Sequence, residues 1–434
     1  MKKYNLTASQ KLLLYFQLLN PKKSDGNICG SFTIQEKVDF EKLKKAVNLV
    51  VEKNDNLRTR ICFSGLSFKQ YFKEYEAFDI EIINVKTDED VKNIENKINH
   101  EVFSMLNKQL FKIKFFRFED GTGGIVCCMH HIICDAWTIG LAINEIMEYY
   151  SEDKQNFEAF PYYEHVKDEQ DYLHGNTIKK DEVFWKELFK DNVPPPATIR
   201  GDLNNENNSR QANYYKVHIS KEIMENISEY CKQIKISECS FFTGVFSLYI
   251  GLELQEQEFL LDTIISNRAN YKDKHTAGLF AKTLSFKASI KEKNFEDYII
   301  NINKDLGSVY RHYKYPTQKL LKIVKSKDSK RKRTSKIWFS FQNAKTDKDT
   351  FKVPFVTRWT PIESTYLYDM LIELYDLENN GSLDIIYNYL VYKYSKQKMI
   401  EIHRAIYSII EQVLKNPKID INNLQINKST IIQK

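Results

Sequence analysis

The chain reads as a mixed α/β protein built from two similar halves, and three observations predict this. Strand and helix signals alternate along most of its length rather than segregating into separate blocks. The alternation is interrupted at Val193-Pro194-Pro195-Pro196 and then restarts. A proline triplet cannot continue a helix, so it marks a boundary or a crossing segment. Finally, 434 residues exceed what one hydrophobic core usually supports, which makes two domains the natural division.

The elements follow from local pattern. Ser9 to Leu19 reads as a helix, stopped by Asn20-Pro21. Gly30 to Ile34 reads as a short strand. Asp39 is placed to cap a helix with Phe40, Leu43, Val47 and Val50 on one face. Phe111-Lys112-Ile113-Lys114-Phe115 alternates strictly, as a half-buried strand does. Ile125-Val126-Cys127-Cys128-Met129 is a continuous apolar run, which predicts a strand covered on both faces. From about Ala136 to Tyr150, Ile139, Ala142, Ile143 and Ile146 recur at helical spacing. A polar, helix-forming stretch from about Asp168 to Leu188 leads to the prolines, and Asn204 to Ser209 reads as a polar loop. The second half then offers a strand at Tyr214 to Ile219 and a helix capped by Ser220 that carries Ile223, Ile227 and Tyr230. An apolar helix from about Phe241 to Leu252 and a strand from Phe259 to Ile265 follow. The basic run from Lys325 to Arg333 reads as a solvated surface loop, its sharper reading being a contact for phosphate or an acidic partner.

Composition excludes several classes. Hydrophobic residues at 42% and aromatics at 13% suffice for two packed cores. With 14 glycines and 9 prolines, repeats and long disordered linkers are disfavoured. The 64 basic residues are offset by 58 acidic ones, and a net charge of +6 does not require nucleic acid as a partner. Seven cysteines, an odd number without any CxxC pair, read as reduced, mostly buried thiols of a cytoplasmic protein. Met1-Lys2-Lys3-Tyr4-Asn5-Leu6 lacks the apolar core of a signal peptide, and no run of 18 apolar residues offers a membrane span. A cytoplasmic monomer with neither nucleic-acid nor membrane partners is expected.

Chemistry concentrates at His130-His131-Ile132-Ile133-Cys134-Asp135, where an apolar strand gives way to a helix. Such a junction holds side chains rigidly, and histidine moves protons near neutral pH. Three readings are open: core histidines satisfied by backbone groups, metal ligands, or a general base. Metal is the weakest, because adjacent residues of a strand point to opposite faces and no HExxH or paired-cysteine spacing is present. The same geometry suggests that one imidazole fixes the loop from the core while the other faces a cleft. Asp135 invites comparison with a catalytic triad, yet no GxSxG or comparable nucleophile accompanies it. It therefore reads as a structural ion-pair partner. Arg58 and Arg60 offer cations in Leu57-Arg58-Thr59-Arg60, although taken singly each reads as a surface residue.

The segment Met129 to Trp137 resembles the HHxxxDG signature of condensation domains from nonribosomal peptide synthetases. Leu6-Thr7-Ala8-Ser9-Gln10-Lys11-Leu12-Leu13 is similar to that family's opening SxAQxRLW pattern, and Asn54 to Arg60 to its RHExLRTxF segment. Tyr162-Tyr163-Glu164-His165 sits where the family has YxDYAxW, and Phe184-Trp185-Lys186-Glu187-Leu188 matches YWxxxL. Gly278-Leu279-Phe280-Ala281-Lys282-Thr283-Leu284 resembles GxFVNTL, and His312-Tyr313-Lys314-Tyr315-Pro316 echoes HQDxPFE. Trp338 to Asn343 is similar to the late strand, and all of these follow the family's order across nearly the whole chain.

The resemblance implies an α/β (α+β) fold of two chloramphenicol-acetyltransferase-like lobes, residues 1–175 and 176–434, in a V-shaped pseudo-dimer with a central tunnel. It implies amide-bond formation by attack of an acceptor amine on an acyl thioester, with His131 as the key histidine and His130 supporting the loop. Asp135 is then expected to form a salt bridge with Arg58. No bound cofactor is implied. The substrates are tethered to the 4′-phosphopantetheine arms of donor and acceptor carrier proteins. Ala136 stands where the family has glycine, Lys282 where it often has asparagine and Glu164 where it has aspartate. Heterocyclisation, which goes with DxxxxD, is disfavoured, whereas epimerisation survives the motif comparison. Two further alternatives are an acyltransferase with a soluble donor or acceptor and a non-catalytic module that recruits carrier proteins. From Met1 to Lys434 no adenylation or carrier segment is recognised, which fits a free-standing enzyme and an excised domain alike.

Overall fold

The computed structural model describes residues 1–152, 158–203, 210–342, 351–360, 365, 368–376 and 381–426. Its contacts divide the chain into two compact units. One comprises Met1–Gly175, Ser266–Ala281 and Ala344–Pro361, the other Asn176–Ile265, Lys282–Asn343 and Ile362–Lys434. Two late segments thus pack with the N-terminal half, which a single cut near residue 175 does not express.

The first unit is organised around a five-stranded sheet in the order Phe355–Trp359, Asn27–Ile34, Gly123–His130, Phe111–Arg117, Ile82–Asn84. Its central strand, Gly123–His130, is almost wholly buried, as its continuous apolar run requires. Helix Phe40–Lys53 begins where Asp39 accepts the N–H of Lys42 at 3.0 Å, and Leu43, Val47 and Val50 are buried in the core. Helix Ala136–Glu152 packs beside it and adds Ala142, Ile143 and Ile146. A second, three-stranded sheet joins Tyr4–Asn5 to the hairpin formed by Thr59–Ser64 and Ser67–Phe72. The edge strand Phe355–Trp359 pairs antiparallel with Asn27–Ile34. Its Arg358 grips the carboxylate of Glu95, on helix Asp88–Asn99, through Nε at 3.0 and 3.2 Å and Nη2 at 3.0 Å.

The second unit holds a six-stranded sheet in the order Lys282–Ser289, Glu258–Ile265, Ile337–Gln342, Met370–Tyr375, Leu383–Leu390, Ala212–Ile219. Ile337–Gln342 runs parallel to both of its neighbours, and the outer pairings are antiparallel. Helix Glu238–Leu254 is buried without interruption from Ser240 to Gly251, as a helix apolar on all sides must be. Helices Lys221–Ile234, Phe295–Arg311 and Lys396–Lys415 pack against it.

Three local readings change. The stretch expected as one helix to Leu188 is two, Tyr162–His174 and Thr177–Leu188, broken at Gly175, which adopts extended backbone at the first helix's end. Ser220 occupies the N-cap position of its helix, but its hydroxyl makes no capping bond. The basic run is not simply a solvated loop. Lys325 and Lys327 lie in the last turn of helix Thr317–Lys327, where cations complement the carbonyl end, and Arg331 folds inward onto Asp328 at 3.0 Å and the Pro194 carbonyl at 2.9 Å. The loop expected at Asn204–Ser209 lies outside the described residues. No helix among the described residues is long and apolar enough to cross a membrane, and the seven cysteines form no disulfide.

Because Glu95 is buried, removing its partner strands a carboxylate. Arg358→Ala is therefore expected to lower stability to urea by about 1–3 kcal/mol, discounted for the partial exposure of Arg358. Arg358→Lys should recover only part of this, since lysine cannot reproduce the bidentate fork. Equal unfolding midpoints for all three proteins would show that solvent screens the pair.

Candidate active site

The two histidines stand where the central strand of the first unit ends. His130 is its last residue, opposite Asn27 in the register. The backbone then turns, with the N–H of His131 donating to the Gly26 carbonyl at 2.7 Å and that of Ile133 to the His130 carbonyl at 3.0 Å. His130 is 1% exposed and packs edge-on to Phe103. Its Nδ1 accepts the N–H of Ile132 at 3.1 Å, so the ring proton sits on Nε2, which faces Gln17 Oε1 at 3.4 Å. Burial, and secondarily the neighbouring His131, lowers its pKa to about 3, so it stays neutral and braces the turn. A Cβ at Gly26 would lie 2.6 Å from His130 Nε2, which is why glycine stands there.

His131 remains partly accessible. Its Nδ1 lies 2.6 Å from the Cys134 carbonyl oxygen, and a carbonyl can only accept. Nδ1 therefore carries the proton, and Nε2 presents a lone pair. The adjacent residues divide as their alternation along the backbone predicts. What the arrangement can do chemically is accept one proton at His131 Nε2.

Asp135 is 3% exposed and begins helix Ala136–Glu152, accepting the N–H of Thr138 on Oδ1 at 2.9 Å. Its Oδ2 accepts the N–H groups of Phe280 at 3.0 Å and Ala281 at 3.1 Å. The expected partner, Arg58, is not its cation. Arg268 is, with Nη2 at 3.1 Å from Oδ1 and 3.3 Å from Oδ2. Burial alone would raise the carboxyl's pKa, but Arg268 and the Thr138 and Phe280 N–H groups outweigh it and hold the value below the usual carboxylate range. Arg268 also donates to the Thr276 and Gly278 carbonyls and lies over the Phe280 ring at 4.0 Å. Arg58 instead closes the end of helix Phe40–Lys53, donating to the carbonyls of Val51, Glu52 and Lys73. Arg60 donates to the Thr59 carbonyl.

The segment that aligned with RHExLRTxF does reach the site, through other residues. Asn54 Nδ2 donates to Glu145 on the helix after the histidines at 2.7 Å, and Asp55 accepts the N–H of Tyr162 at 2.9 Å. Glu145 is 4% exposed, and burial pushes its pKa up to about 8. Among the described residues, the buried Oδ1 of Asn54 has no donor. Among the described residues, no three His, Cys, Asp or Glu side chains converge as metal ligands. Sequence reasoning missed Arg268 and Glu145. Glu145 offered one signal, an acid on the helix face that also carries Ala142 and Ile146, whereas Arg268 in Ser266-Asn267-Arg268-Ala269 offered none.

A family model described as Condensation domain matches residues 1–433. Surfactin synthase subunit 1 of Bacillus subtilis (strain 168) is 24% identical over 438 residues, covering 97% of this chain and 12% of that protein. Gramicidin S synthase 2 of Aneurinibacillus migulanus is 20% identical, covering 98% of this chain and 10% of that protein. The chain thus spans about a tenth of the length of these relatives. Among solved structures, a mutant of the starter condensation domain of rhizomide synthetase in complex with C8-CoA superposes with a TM-score of 0.84 at 15% identity, covering 98% of each chain. The first condensation domain of the calcium-dependent antibiotic synthetase gives 0.82 at 13% identity, covering 98% of this chain and 99% of that one. The fold is theirs.

Two outcomes test the site's energetics. In a double-mutant cycle, Asp135→Ala should cost about 3–5 kcal/mol and couple strongly to Arg268→Ala, because each leaves a buried charge unpaired. Combined with Arg58→Ala it should be additive to within about 0.5 kcal/mol, and coupling to Arg58 instead would refute the assignment. For Glu145, the folded pKa of about 8 lies above the ordinary value of 4.5. Between those two values the folded state binds the extra proton, so this group's contribution to stability falls as pH rises. Glu145→Gln should flatten that decline between pH 5 and 8, and an identical pH dependence in both proteins would show that Glu145 titrates normally.

Proposed function

We propose, since this chain belongs to the condensation-domain family, that it joins an acyl group held as a thioester on one carrier protein to an amine presented by another. The observation that carries the reading is the His131 tautomer, with Nδ1 held by the Cys134 carbonyl and Nε2 open to accept a proton. The amine nitrogen attacks the thioester carbonyl, forming the C–N bond. As the tetrahedral species collapses the C–S bond breaks, the proton shed by nitrogen passes to His131 Nε2, and the departing thiolate takes it up. Bringing two tethered reactants together supplies the larger part of the acceleration, about 7–11 kcal/mol for well-oriented groups. A placed base typically adds about 10²–10⁴-fold. His130 and Asp135 touch no reacting atom here. They hold the turn and the helix between which His131 stands.

Carrier proteins bearing 4′-phosphopantetheine are the proposed donor and acceptor. A similar chain within a four-domain nonribosomal peptide synthetase (TM-score 0.81, 15% identity) supports that choice, as do surfactin synthase and gramicidin S synthase, matched by this chain over about a tenth of their length. A second reading replaces the donor carrier by an acyl-CoA. It draws on the similar starter domain in complex with C8-CoA, since both donors end in the same kind of thioester.

The test is intact-mass analysis of an amine-loaded acceptor carrier after incubation with an acyl-loaded donor carrier, for the native protein and His131→Ala. Native protein should transfer the acyl group. His131→Ala should lose about 10²–10⁴-fold in rate with an unchanged melting temperature, because His131 is partly exposed and its ring makes one backbone bond. Transfer from acyl-CoA alone would establish the second reading. Transfer by His131→Ala at the native rate would remove His131 from the mechanism, and carrier binding without any transfer would leave a recruiting module.

A further inference from the structure

Three successive carbonyls follow His131, and each is claimed by a different donor. The carbonyl of Cys134 accepts from His131 Nδ1 at 2.6 Å. The carbonyl of Ile132 accepts from the Gln10 side chain, on helix Ala8–Leu19, at 3.2 Å. The carbonyl of Ile133 accepts from the Asn56 side chain, in the short turn Asp55–Arg58. Gln10, Asn56, Ile132, Ile133 and Cys134 are all completely buried, so these carbonyls face no bulk solvent.

The amide of Gln10 can point in one way. Its Oε1 accepts the N–H of Thr7 at 3.0 Å and Gln70 Nε2 at 2.8 Å, while its Nε2 donates to Gln70 Oε1 at 2.9 Å and to Ile132. Gln70 in turn donates to the Asn5 carbonyl at 2.9 Å. Every hydrogen-bonding position of Gln10 is filled, which fixes which end is nitrogen. The turn is thereby held from two elements remote in sequence, and both holds fall on carbonyls between the histidine and the carbonyl that orients it.

We propose that Gln10 and Asn56 are positioning residues for His131: by occupying the carbonyls of Ile132 and Ile133, they leave that of Cys134 to the imidazole and keep Nε2 open. The proposal rests on His131 being the base of the reaction proposed above. A buried carbonyl stripped of its donor is left unsatisfied, and the turn, no longer held at that carbonyl, is free to rotate toward another donor. Rotation moves the Cys134 carbonyl away from Nδ1 and frees the ring to adopt the other tautomer. Neither amide meets the substrate. Both act through the main chain.

The test reads the tautomer directly, by nitrogen NMR of the full chain labelled at histidine, with His131 assigned by the signals missing in His131→Ala. Native protein should show Nδ1 protonated and Nε2 bare. The opposite tautomer would overturn the proposal before any further variant is made. Asn56→Ala and Gln10→Ala should show mixed tautomers and lose about 10- to 100-fold in kcat, with KM within about twofold. Folded variants that melt earlier but keep the native tautomer would reduce both amides to structural roles and overturn it. Should either fail to fold, Gln70→Leu removes the group that orients Gln10, and a native tautomer there would equally overturn the role of Gln10. No substrate is needed for this readout. Mixed tautomers in variants of a protein that transfers no acyl group would therefore support the positioning while overturning the reaction.

Discussion

The buried carboxylate of Asp135 is the constraint around which the first unit's site is built. A carboxylate at 3% exposure must be neutralised and its lone pairs satisfied, or the fold would pay several kilocalories per mole. It meets both demands by drawing donors from two places. Thr138 supplies an N–H from the start of the following helix, while Arg268, Phe280 and Ala281 supply theirs from the segment Ser266–Ala281. The same charge also sits at the positive end of a helix, where it is further stabilised. Helix and segment are thus tied to one atom group. The segment is pressed in from its other side as well, since Tyr162 donates its hydroxyl to the Leu279 carbonyl at 2.8 Å. A Cβ on Gly278 would come within 2.1 Å of the Tyr162 ring.

Around this charged anchor, the groups that shape the histidine turn are neutral. His130 is held uncharged by burial, and the carbonyls of Ile132 and Ile133 are met by amides. Lysine or arginine at positions 10 or 56 could also donate, but each would bring an unpaired charge into a region closed to bulk solvent. Amides give direction without charge. They suit a buried turn in which a third carbonyl meets one ring nitrogen.

Much of this was legible in the sequence, and the gaps have physical causes. Asp39 capping Phe40–Lys53 and the doubly covered strand ending at His130 are set by neighbours a few residues away, so pattern reveals them. The break at Gly175 was lost because the helical residues on both sides of it match one continuous pattern. Strand Phe355–Trp359 could not be assigned to a sheet at all, because its partner Asn27–Ile34 lies at the other end of the chain. Arg268 was missed for a related reason, being 133 residues from Asp135 and surrounded by ordinary loop residues. Arg58 drew attention because it stands in a recognisable motif. Its place just beyond a helix end, however, delivers its guanidinium to carbonyls left over by that helix. Tautomers are a different matter, since they depend on which atoms face Nδ1 and are written in no one-dimensional pattern.

The assignment of Arg268 also separates two tasks that a triad would combine. In a triad the carboxylate orients the imidazole through Nδ1, so anchoring and aiming fail together. Here Nδ1 is met by the Cys134 carbonyl, three residues along the same turn. Asp135, one residue further, is committed to Arg268 and to the helix start. The charge secures the scaffold and the main chain orients the imidazole. A change at the ion pair then acts on His131 by loosening the elements around the turn. A change within the turn alters the ring's orientation while leaving the ion pair whole. Loss of stability and loss of imidazole orientation are therefore separable in this site, because they reside in different atoms.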